Sequence, residues 1–226
     1  LNMLPHRDRD HLIALCADVD LAVGGALYEY GRMLSYAYFP VSGLVSLMGR
    51  YDGGAQLEVG VIGKEGMLGE SLILGVRLAP WSGLVRVPGR AWRISALALR
   101  REMKASVALQ AVLSRFVAVR MAQMVGAAGC LRYHQIGPRL ARRLLMSLDR
   151  EEASHIKITH ELLAHMLGVR RVGVTAAAGE LQRLGLIEYH HGALHVLDRE
   201  GLEHVACSCY AADGVAYKTI LSRHLS

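Results

Sequence analysis

Two adjacent arginines, Arg170 and Arg171, carry the most informative chemistry in the sequence. A guanidinium can donate two parallel hydrogen bonds to the acceptors on a guanine edge, and it also pairs well with phosphate. Arg171 is therefore the first candidate for contact with a base, and Arg170 is a candidate for contact with a phosphate or a base. The alternative is that both arginines are solvated surface charges.

The residues around these arginines, 158–187, have the spacing of a helix-turn-helix. Thr159 can cap a first helix by accepting a hydrogen bond from a free backbone N–H. Ala164 is small where a second helix must cross, and Gly168 suits a turn that needs a positive φ. Apolar residues at helical spacing then seal the two helices together: Leu163, Leu167, Val169, Val174 and Ala177. This pattern predicts a DNA-binding motif rather than an ordinary helical hairpin in a core.

The face of the second helix opposite this seal is the predicted recognition surface. Thr175 is expected to contact a phosphate or a base, whereas Val172 and Ala176 can only touch a thymine methyl group. The predicted DNA-binding residues are Arg170, Arg171, Val172, Thr175 and Ala176, with Gly179 on the same face and Thr159 at the start of the first helix.

A wing is predicted directly after the second helix. Residues 186–189 alternate like a strand, 190–192 form a turn, and 193–197 alternate again. Asp198 then resembles the N-cap of a short helix that runs to about Val205. Two helices followed by a hairpin indicate a winged helix, in which the second helix enters the major groove and the wing lies along the phosphates.

The four cysteines, Cys16, Cys130, Cys207 and Cys209, do not form a disulfide framework. Cys207 and Cys209 are separated by one residue, whereas zinc sites favour a gap of two, and no second pair matches them. With His204 nearby a metal site is left open, but none is predicted. Because Cys16 stands alone near the N-terminus, an iron–sulfur sensor with four cysteines is not expected either.

No catalytic residues are predicted. Glu58, Glu65 and Glu70 lie near one another in the sequence, but no nucleophile–base pair or metal cluster accompanies them. We therefore do not expect an enzyme.

Composition indicates a soluble globular protein of two modest domains, with 226 residues, 52% hydrophobic and 20% charged. A formal net charge of +6 suits an anionic partner but supports nucleic acid only weakly. The strongest apolar runs, such as 121–131, are too short to cross a bilayer. The first ten residues are charged rather than apolar, so a cytoplasmic location is expected and no membrane partner.

Short strands broken by glycines are predicted between about residues 22 and 94. Residues 38–47 read as a strand, a turn and a second strand, 51–54 as a hairpin turn, and 56–62 as an alternating strand. Regular short strands of this kind predict a sandwich or roll, in which two small sheets bury a shared interior.

At this point the chain resembles the Crp/Fnr superfamily of bacterial transcription regulators, named for the cyclic-AMP receptor protein. The matching segments are YFPVSGLVSL, DGGAQLEVGVIGKEGMLGE, ITHELLAHMLGVRR and LQRLGLIEYHHGALHVLDREGL. The resemblance implies an α+β fold with a cyclic-nucleotide-binding-like β-roll of jelly-roll type, a long dimerisation helix and a winged helix. It further implies a homodimer that regulates transcription from a palindromic operator, with Arg171 at the position of a base-reading arginine.

The chain departs from the cyclic-AMP-binding members of this family. Gly69 and Glu70 match the start of their phosphate loop, but the next basic residue, Arg77, comes too soon and is followed by 78–80, Leu-Ala-Pro. A cyclic nucleotide phosphate would then be buried with little compensation. Gly69, Glu70 and Arg77 remain the candidate effector-binding residues, yet a cyclic nucleotide is disfavoured, no cofactor is predicted, and Glu70 and Arg77 are expected to be a surface charge and a loop charge.

A long helix is predicted between about Ser106 and His134. A heptad seam fits a parallel coiled-coil dimer and contains Leu109, Val112, Phe116, Val119 and Gln123, followed by Gly126 and Cys130. A second apolar stripe could lie against the roll: Leu113, Val117, Met121 and Met124. The alternative is a helix buried within one subunit. Gly137 and Pro138 are expected to break the helix at a hinge.

The predicted domains are 1–105 for the roll, 106–137 for the dimerisation helix and hinge, and 138–226 for the winged helix, whose first helix has Leu140, Leu144, Leu145 and Leu148 as its core face. RNA polymerase and a small-molecule effector are left open as further partners. The competing hypothesis is a sensor of a nucleotide, haem or a redox signal, whose winged helix contacts protein.

Overall fold

The computed structural model describes residues 1–151, 155–190 and 193–222. Helix α1 (His6–Ala14) precedes seven strands: β1 (Ala17–Leu21), β2 (Ala26–Tyr28), β3 (Tyr36–Pro40), β4 (Leu44–Arg50), β5 (Gln56–Ile62), β6 (Ser82–Val87) and β7 (Gly89–Ser95). They form two antiparallel sheets, ordered β1-β7-β3 and β2-β6-β4-β5, which confirms the predicted roll.

The roll is closed by a chain crossing between its two sheets. The predicted strand, turn and strand of residues 38–47 are present as β3 and β4, but β3 pairs with β7 whereas β4 pairs with β5 and β6. Gly43 makes this crossing possible, because it has φ +85° and a Cβ there would lie 2.7 Å from the carbonyl oxygen of Val87. Leu47, Ala91 and Ile94 fill the shared interior.

Two consecutive helices follow, α2 (Ala96–Ala105) and α3 (Val107–Tyr133), each with a serine N-cap. The hydroxyl of Ser95 accepts a hydrogen bond from the Ala98 N–H, and that of Ser106 accepts one from the Leu109 N–H, at 3.1 and 3.0 Å. The long helix was predicted within one residue of these bounds. Helices α1 and α2 were not predicted.

The predicted dimer seam of α3 is buried within its own subunit. Leu109, Phe116 and Val119 are 2%, 6% and 0% exposed and belong to the core of the roll, while Val112 and Gln123 are half-buried. The three buried side chains are therefore not accessible to a second subunit, whereas Val112 and Gln123 stay predicted interface residues. The physical reason is that α3 carries two apolar stripes, and this stripe packs against the roll of the same chain.

The opposite side of α3 is the exposed one. Val107, Met121 and Val125 are 77%, 64% and 75% exposed. Met121 and Met124 were predicted to lie against the roll. Both are exposed, so for these two residues the prediction is wrong. Leu113 of that predicted stripe is buried as expected.

The C-terminal part begins with α4 (Ile136–Glu151) and continues through β8 (His155–Lys157), α5 (His160–Leu167), α6 (Arg171–Arg183), β9 (Ile187–His190), β10 (Ala193–Val196) and α7 (Arg199–Val205). Its core contains the predicted face of α4, namely Leu140, Leu144, Leu145 and Leu148. The chain turns at residues 134 and 135. This turn lies within the hinge predicted near residues 134–138, although Pro138 itself lies inside the first turn of α4, where no helical N–H is needed.

The last helix, α8 (Cys209–Ser222), returns to the first half of the molecule and runs along α3. Leu221 lies in the core of the roll, and the Tyr217 hydroxyl donates a hydrogen bond to the Glu65 carbonyl oxygen at 2.5 Å. The predicted third domain, 138–226, thus differs from the structure at its C-terminal end.

Helix α3 is long and apolar enough, by length and composition, to cross a membrane. One side of this helix packs against the roll and α8, and the buried Arg120 lies halfway along it.

Candidate nucleic-acid interface

Helices α5 and α6 form the predicted helix-turn-helix. The Thr159 hydroxyl accepts a hydrogen bond from the Leu162 N–H at 3.1 Å, which begins α5 as expected. Gly168 ends it with φ +62°, and the Val169 N–H then bonds the Ala164 carbonyl oxygen at 3.1 Å. Ala164 is 3% exposed at the crossing, so both small residues have the roles predicted from their spacing.

The seal between the two helices is apolar. Leu163, Val174 and Ala178 are completely buried, while Val169 and Ala177 are half-buried. Because this stripe fixes the rotation of α6, the opposite face must point to solvent.

The predicted recognition face is exposed in full: Arg170, Arg171, Val172, Thr175, Ala176 and Gly179. Arg170 is the N-cap residue of α6, and Arg171 begins its first turn. Among the described residues neither arginine has an ion-pair partner, whereas Arg183 at the other end of α6 is paired with Glu180. Two guanidinium groups without a carboxylate partner therefore lie at the N-terminal end of α6, the end that would enter a DNA groove.

His160 joins both helices to the wing and was not predicted. The Thr175 hydroxyl donates to the Arg171 carbonyl oxygen at 3.1 Å, so it can accept a hydrogen bond from the Nδ1–H of His160 at 3.0 Å. The imidazole ring also stacks on Tyr189 with 4.4 Å between centroids. Burial and, to a lesser extent, Arg171 lower the pKa of His160, which favours the neutral form of the ring.

The wing is a three-stranded sheet, ordered β8-β10-β9. Strands β9 and β10 pair antiparallel from Ile187↔Val196 to His190↔Ala193, close to the predicted bounds; His191 and Gly192 of the predicted turn lie outside the described residues. Strand β8 was missed because its three residues are too few to show a pattern. The Asp198 carboxylate accepts a hydrogen bond from the Gly201 N–H at 2.9 Å, which confirms it as the N-cap of α7.

The candidate effector residues do not form one site. Glu70 was predicted to be a surface charge, which is wrong: it is 5% exposed, and the Nε of Arg120 from α3 lies 3.2 Å from its Oε1. Arg77 is exposed and bonds the Leu34 carbonyl oxygen through Nε at 3.4 Å, as expected for a loop charge. Gly69 has φ +85° at the start of the turn that carries Glu70.

Arg120, the partner of Glu70, was not predicted from the sequence. Its Nη1 donates to Gln123 Oε1 at 2.7 Å, and a Cβ on Gly60 would lie 2.5 Å from its Nη2. The guanidinium therefore needs the glycine in β5 to reach Glu70. Burial raises the pKa of the Glu70 carboxyl, and Arg120 opposes this shift.

Comparison with known proteins agrees with this geometry. Residues 138–205 match the sequence profile described as the Crp-like helix-turn-helix domain. This segment contains α5, α6 and the wing and is called the Crp-like domain below. No curated protein sequence matches the chain closely enough to count as a relative.

Solved structures resemble the whole chain. FixK2 from Bradyrhizobium japonicum has a TM-score of 0.71 at 13% identity, covering 85% of this chain and 98% of its own. A putative Crp/Fnr-family transcriptional regulator from Eubacterium rectale has a TM-score of 0.71 at 20% identity, covering 90% and 95%. The c-di-GMP responsive regulator CLP of Xanthomonas campestris has a TM-score of 0.68 at 18% identity, covering 85% and 99%. The chain has the fold of the Crp/Fnr regulators, as its sequence motifs predicted.

The Crp-like domain is fastened to the roll by two ion pairs from α4. Arg143 donates from Nε and Nη2 to the two carboxylate oxygens of Glu58, at 2.7 and 3.2 Å, and both side chains are 6% exposed. Arg150 pairs with Glu65 at 2.6 Å. The Ser46 hydroxyl also donates to Glu58 at 2.5 Å, so three hydrogen bonds reach this carboxylate.

We expect Arg143→Met to lower the free energy of unfolding by about 3–5 kcal/mol, because it leaves the Glu58 carboxylate buried without its counter-charge. Urea unfolding at pH 7 measures this loss. The matched control is Arg183→Met, which breaks the exposed Glu180 pair and should leave the unfolding midpoint unchanged. The double variant Arg143→Met with Glu58→Met should regain most of the loss; no recovery would contradict the assigned cause.

Proposed function

We propose that this protein is a sequence-specific DNA-binding transcription regulator of the Crp/Fnr type that binds a palindromic operator as a homodimer. The observation that carries the proposal is the exposed, unpaired pair Arg170 and Arg171 at the start of α6 in a Crp-like domain. Helix-turn-helix proteins place this end of the second helix against base edges in the major groove. The similar solved structures include a transcription regulator, and no catalytic role is proposed for any residue.

Each exposed residue of α6 has a distinct role in this proposal. Arg171 donates to the two acceptors of a guanine, and Arg170 contacts a phosphate. Val172, 73% exposed, and Ala176 meet thymine methyl groups. Thr175 is held by His160 and by the Arg171 carbonyl oxygen, so its hydroxyl is fixed beside the base-reading arginine. Thr159, used as a helix cap, retains its hydroxyl proton for a phosphate.

Arg171→Ala should weaken specific binding by about 1–3 kcal/mol, or about 5- to 150-fold, because a bidentate base contact is lost. Fluorescence anisotropy on the operator, recovered by selection from random duplexes, measures the change at fixed salt. Arg100→Ala, an exposed arginine on α2, makes the same chemical change far from α6 and should leave binding unaltered. Equal losses in both variants would overturn the placement of the recognition helix.

The proposed dimer forms through the exposed face of α3. Steps of four and three residues connect Val107, Ala111, Ser114, Ala118, Met121, Val125 and Ala128, all of which are exposed apart from the half-buried Ala111. This is the spacing of a coiled-coil seam, and its small residues permit close approach of two helices. A parallel pair of such helices places two α6 helices on a two-fold symmetric site, with half-sites about 34 Å apart.

Met121→Glu should convert the dimer to a monomer, because it places two like charges in the middle of an apolar seam. Sedimentation equilibrium measures the mass of the species in solution. Val23→Glu is the control, since Val23 is 66% exposed at a turn of the roll and the same charge there should leave the dimer intact. A wild-type protein that sediments as a monomer on and off DNA would refute the symmetric mode of binding.

We further propose that the roll binds no cyclic nucleotide through Glu70. Supporting this, the carboxylate is paired with Arg120 and buried, and Arg77 lies exposed on a loop rather than inside the roll. A ligand would have to displace a buried ion pair to reach the carboxylate, which is costly.

Saturating cyclic AMP or cyclic GMP should therefore leave the thermal unfolding midpoint of the protein unchanged, since a ligand raises it only by binding the folded state. A rise that grows with nucleotide concentration in the wild type, and is lost in Glu70→Gln, would contradict the proposal. The operator duplex serves as the positive control in the same assay.

The proposed cellular setting is the cytoplasm, where DNA and RNA polymerase are accessible. An effector of another chemical class, acting through the roll, is compatible with this function. Salt-dependent affinity for duplex DNA separates the regulator from a sensor whose winged helix contacts protein, because each phosphate contact releases counterions.

A further inference from the structure

Three cysteines and a histidine converge where α3, α4 and α8 meet. Cys130 and His134 lie one turn apart at the C-terminal end of α3, and Cys207 and Cys209 flank the beginning of α8. One ligand atom from each residue lies within 4.8 Å of all the others. Cys130 and Cys207 are buried and the other two are half-buried, so the group is shielded without being sealed.

Two distances within the group match the edges of a small tetrahedron. The Sγ atoms of Cys130 and Cys207 are 3.5 Å apart, and Cys209 Sγ lies 3.5 Å from His134 Nδ1. Zinc–sulfur and zinc–nitrogen bonds of about 2.3 and 2.0 Å give tetrahedral edges of roughly 3.5–3.8 Å. The four ligands of an iron–sulfur cluster are divided between at least two irons, so ligands on different irons must stand farther apart than these atoms do.

We propose that Cys130, His134, Cys207 and Cys209 bind one Zn²⁺ in a closed, four-coordinate structural site. Three thiolates and one imidazole complete the tetrahedron, so no position remains for water or a substrate. Binding releases three thiol protons to solvent and changes no oxidation state, leaving a site of net charge −1.

An ion pair lies beside these residues. Arg142 Nη2 donates to Asp213 of α8 at 2.5 Å, and Asp213, Cys130 and Cys207 raise the pKa of this guanidinium against the effect of its burial. The backbone N–H of Cys207 donates to the Pro138 carbonyl oxygen at 3.2 Å, which holds this ligand against the first turn of α4. Such outer contacts orient metal ligands before the ion arrives.

The site is composed of two short pairs that are distant in sequence. A cysteine and a histidine at i and i+4 share one face of a helix, and a Cys-X-Cys pair supplies the other half. In the sequence Cys207 and Cys209 form an isolated pair with His204 nearby. In the structure His134 is the histidine ligand, whereas His204 Nδ1 contacts the carbonyl oxygen of Glu200.

An ion here would join the end of α3, the turn at residues 134 and 135, and the start of α8. These are the segments that set how the Crp-like domain sits on the rest of the chain. Because the ligands converge only in the folded protein, ion binding stabilises that arrangement by mass action.

The test uses the full chain, reduced and treated with a chelator, and then titrated with Co²⁺ and separately with Zn²⁺. We expect one Co²⁺ per chain, intense tetrahedral visible bands and a thiolate-to-cobalt charge-transfer band, all abolished by one equivalent of Zn²⁺. Zn²⁺ should also raise the thermal unfolding midpoint. A reduced wild type that shows no charge-transfer band and no stabilisation by Zn²⁺ would overturn the proposal.

Variants separate this site from other thiol chemistry. Cys209→Ser and His134→Gln should each weaken Co²⁺ binding at least about tenfold. Each variant removes a direct ligand, and the loss of even an outer contact typically lowers metal affinity by about that much. Cys16→Ser is the matched control: it removes the cysteine outside the group and should retain one full equivalent. An equal loss of Co²⁺ binding in Cys16→Ser would refute the assignment. So would a protein that forms a Cys130–Cys207 disulfide and, once this is reduced, binds no metal ion. Circular dichroism verifies that each variant is folded.

Discussion

Buried pairing of carboxylates with guanidiniums is the constraint on which this structure depends. Glu58 and Glu70 lie on the roll and are paired with Arg143 of α4 and Arg120 of α3, all four side chains being buried, and a half-buried pair of Glu65 with Arg150 of α4 adds to them. A carboxylate removed from water is tolerable only with such a partner, since desolvation alone costs several kcal/mol. The helices must therefore keep their register against the roll, and the recognition helix inherits its orientation from them.

These ion pairs hold the Crp-like domain in one position against the roll. The turn at residues 134 and 135 is short, and its flanking helices carry Arg120 on one side and Arg143 on the other. The helix-turn-helix also touches the roll, because Leu57 of β5 lies against Gly168. A shift of α3 against the roll would break the buried pair of Arg120 with Glu70.

Helix α3 illustrates why an apolar stripe alone does not identify a partner. Leu109, Phe116 and Val119 repeat with coiled-coil spacing, yet so do Val107, Met121 and Val125 on the other side. The first set packs against the roll of the same chain, and only the second faces solvent. Periodicity reports that a face is apolar, whereas the identity of what covers it depends on segments far away in sequence.

The sequence by itself determined the features whose causes are local. The caps Thr159 and Asp198, the positive φ of Gly168 and the wing strands each depend on a few neighbouring residues, and so does the exposure of Arg171 opposite its seal. The tertiary structure alone decided the partners of ionisable and sulfur-bearing side chains. Glu70 meets Arg120 fifty residues later, and Cys130 meets Cys207 across 77 residues. No local pattern encodes such pairs, because chain folding rather than sequence spacing brings them together.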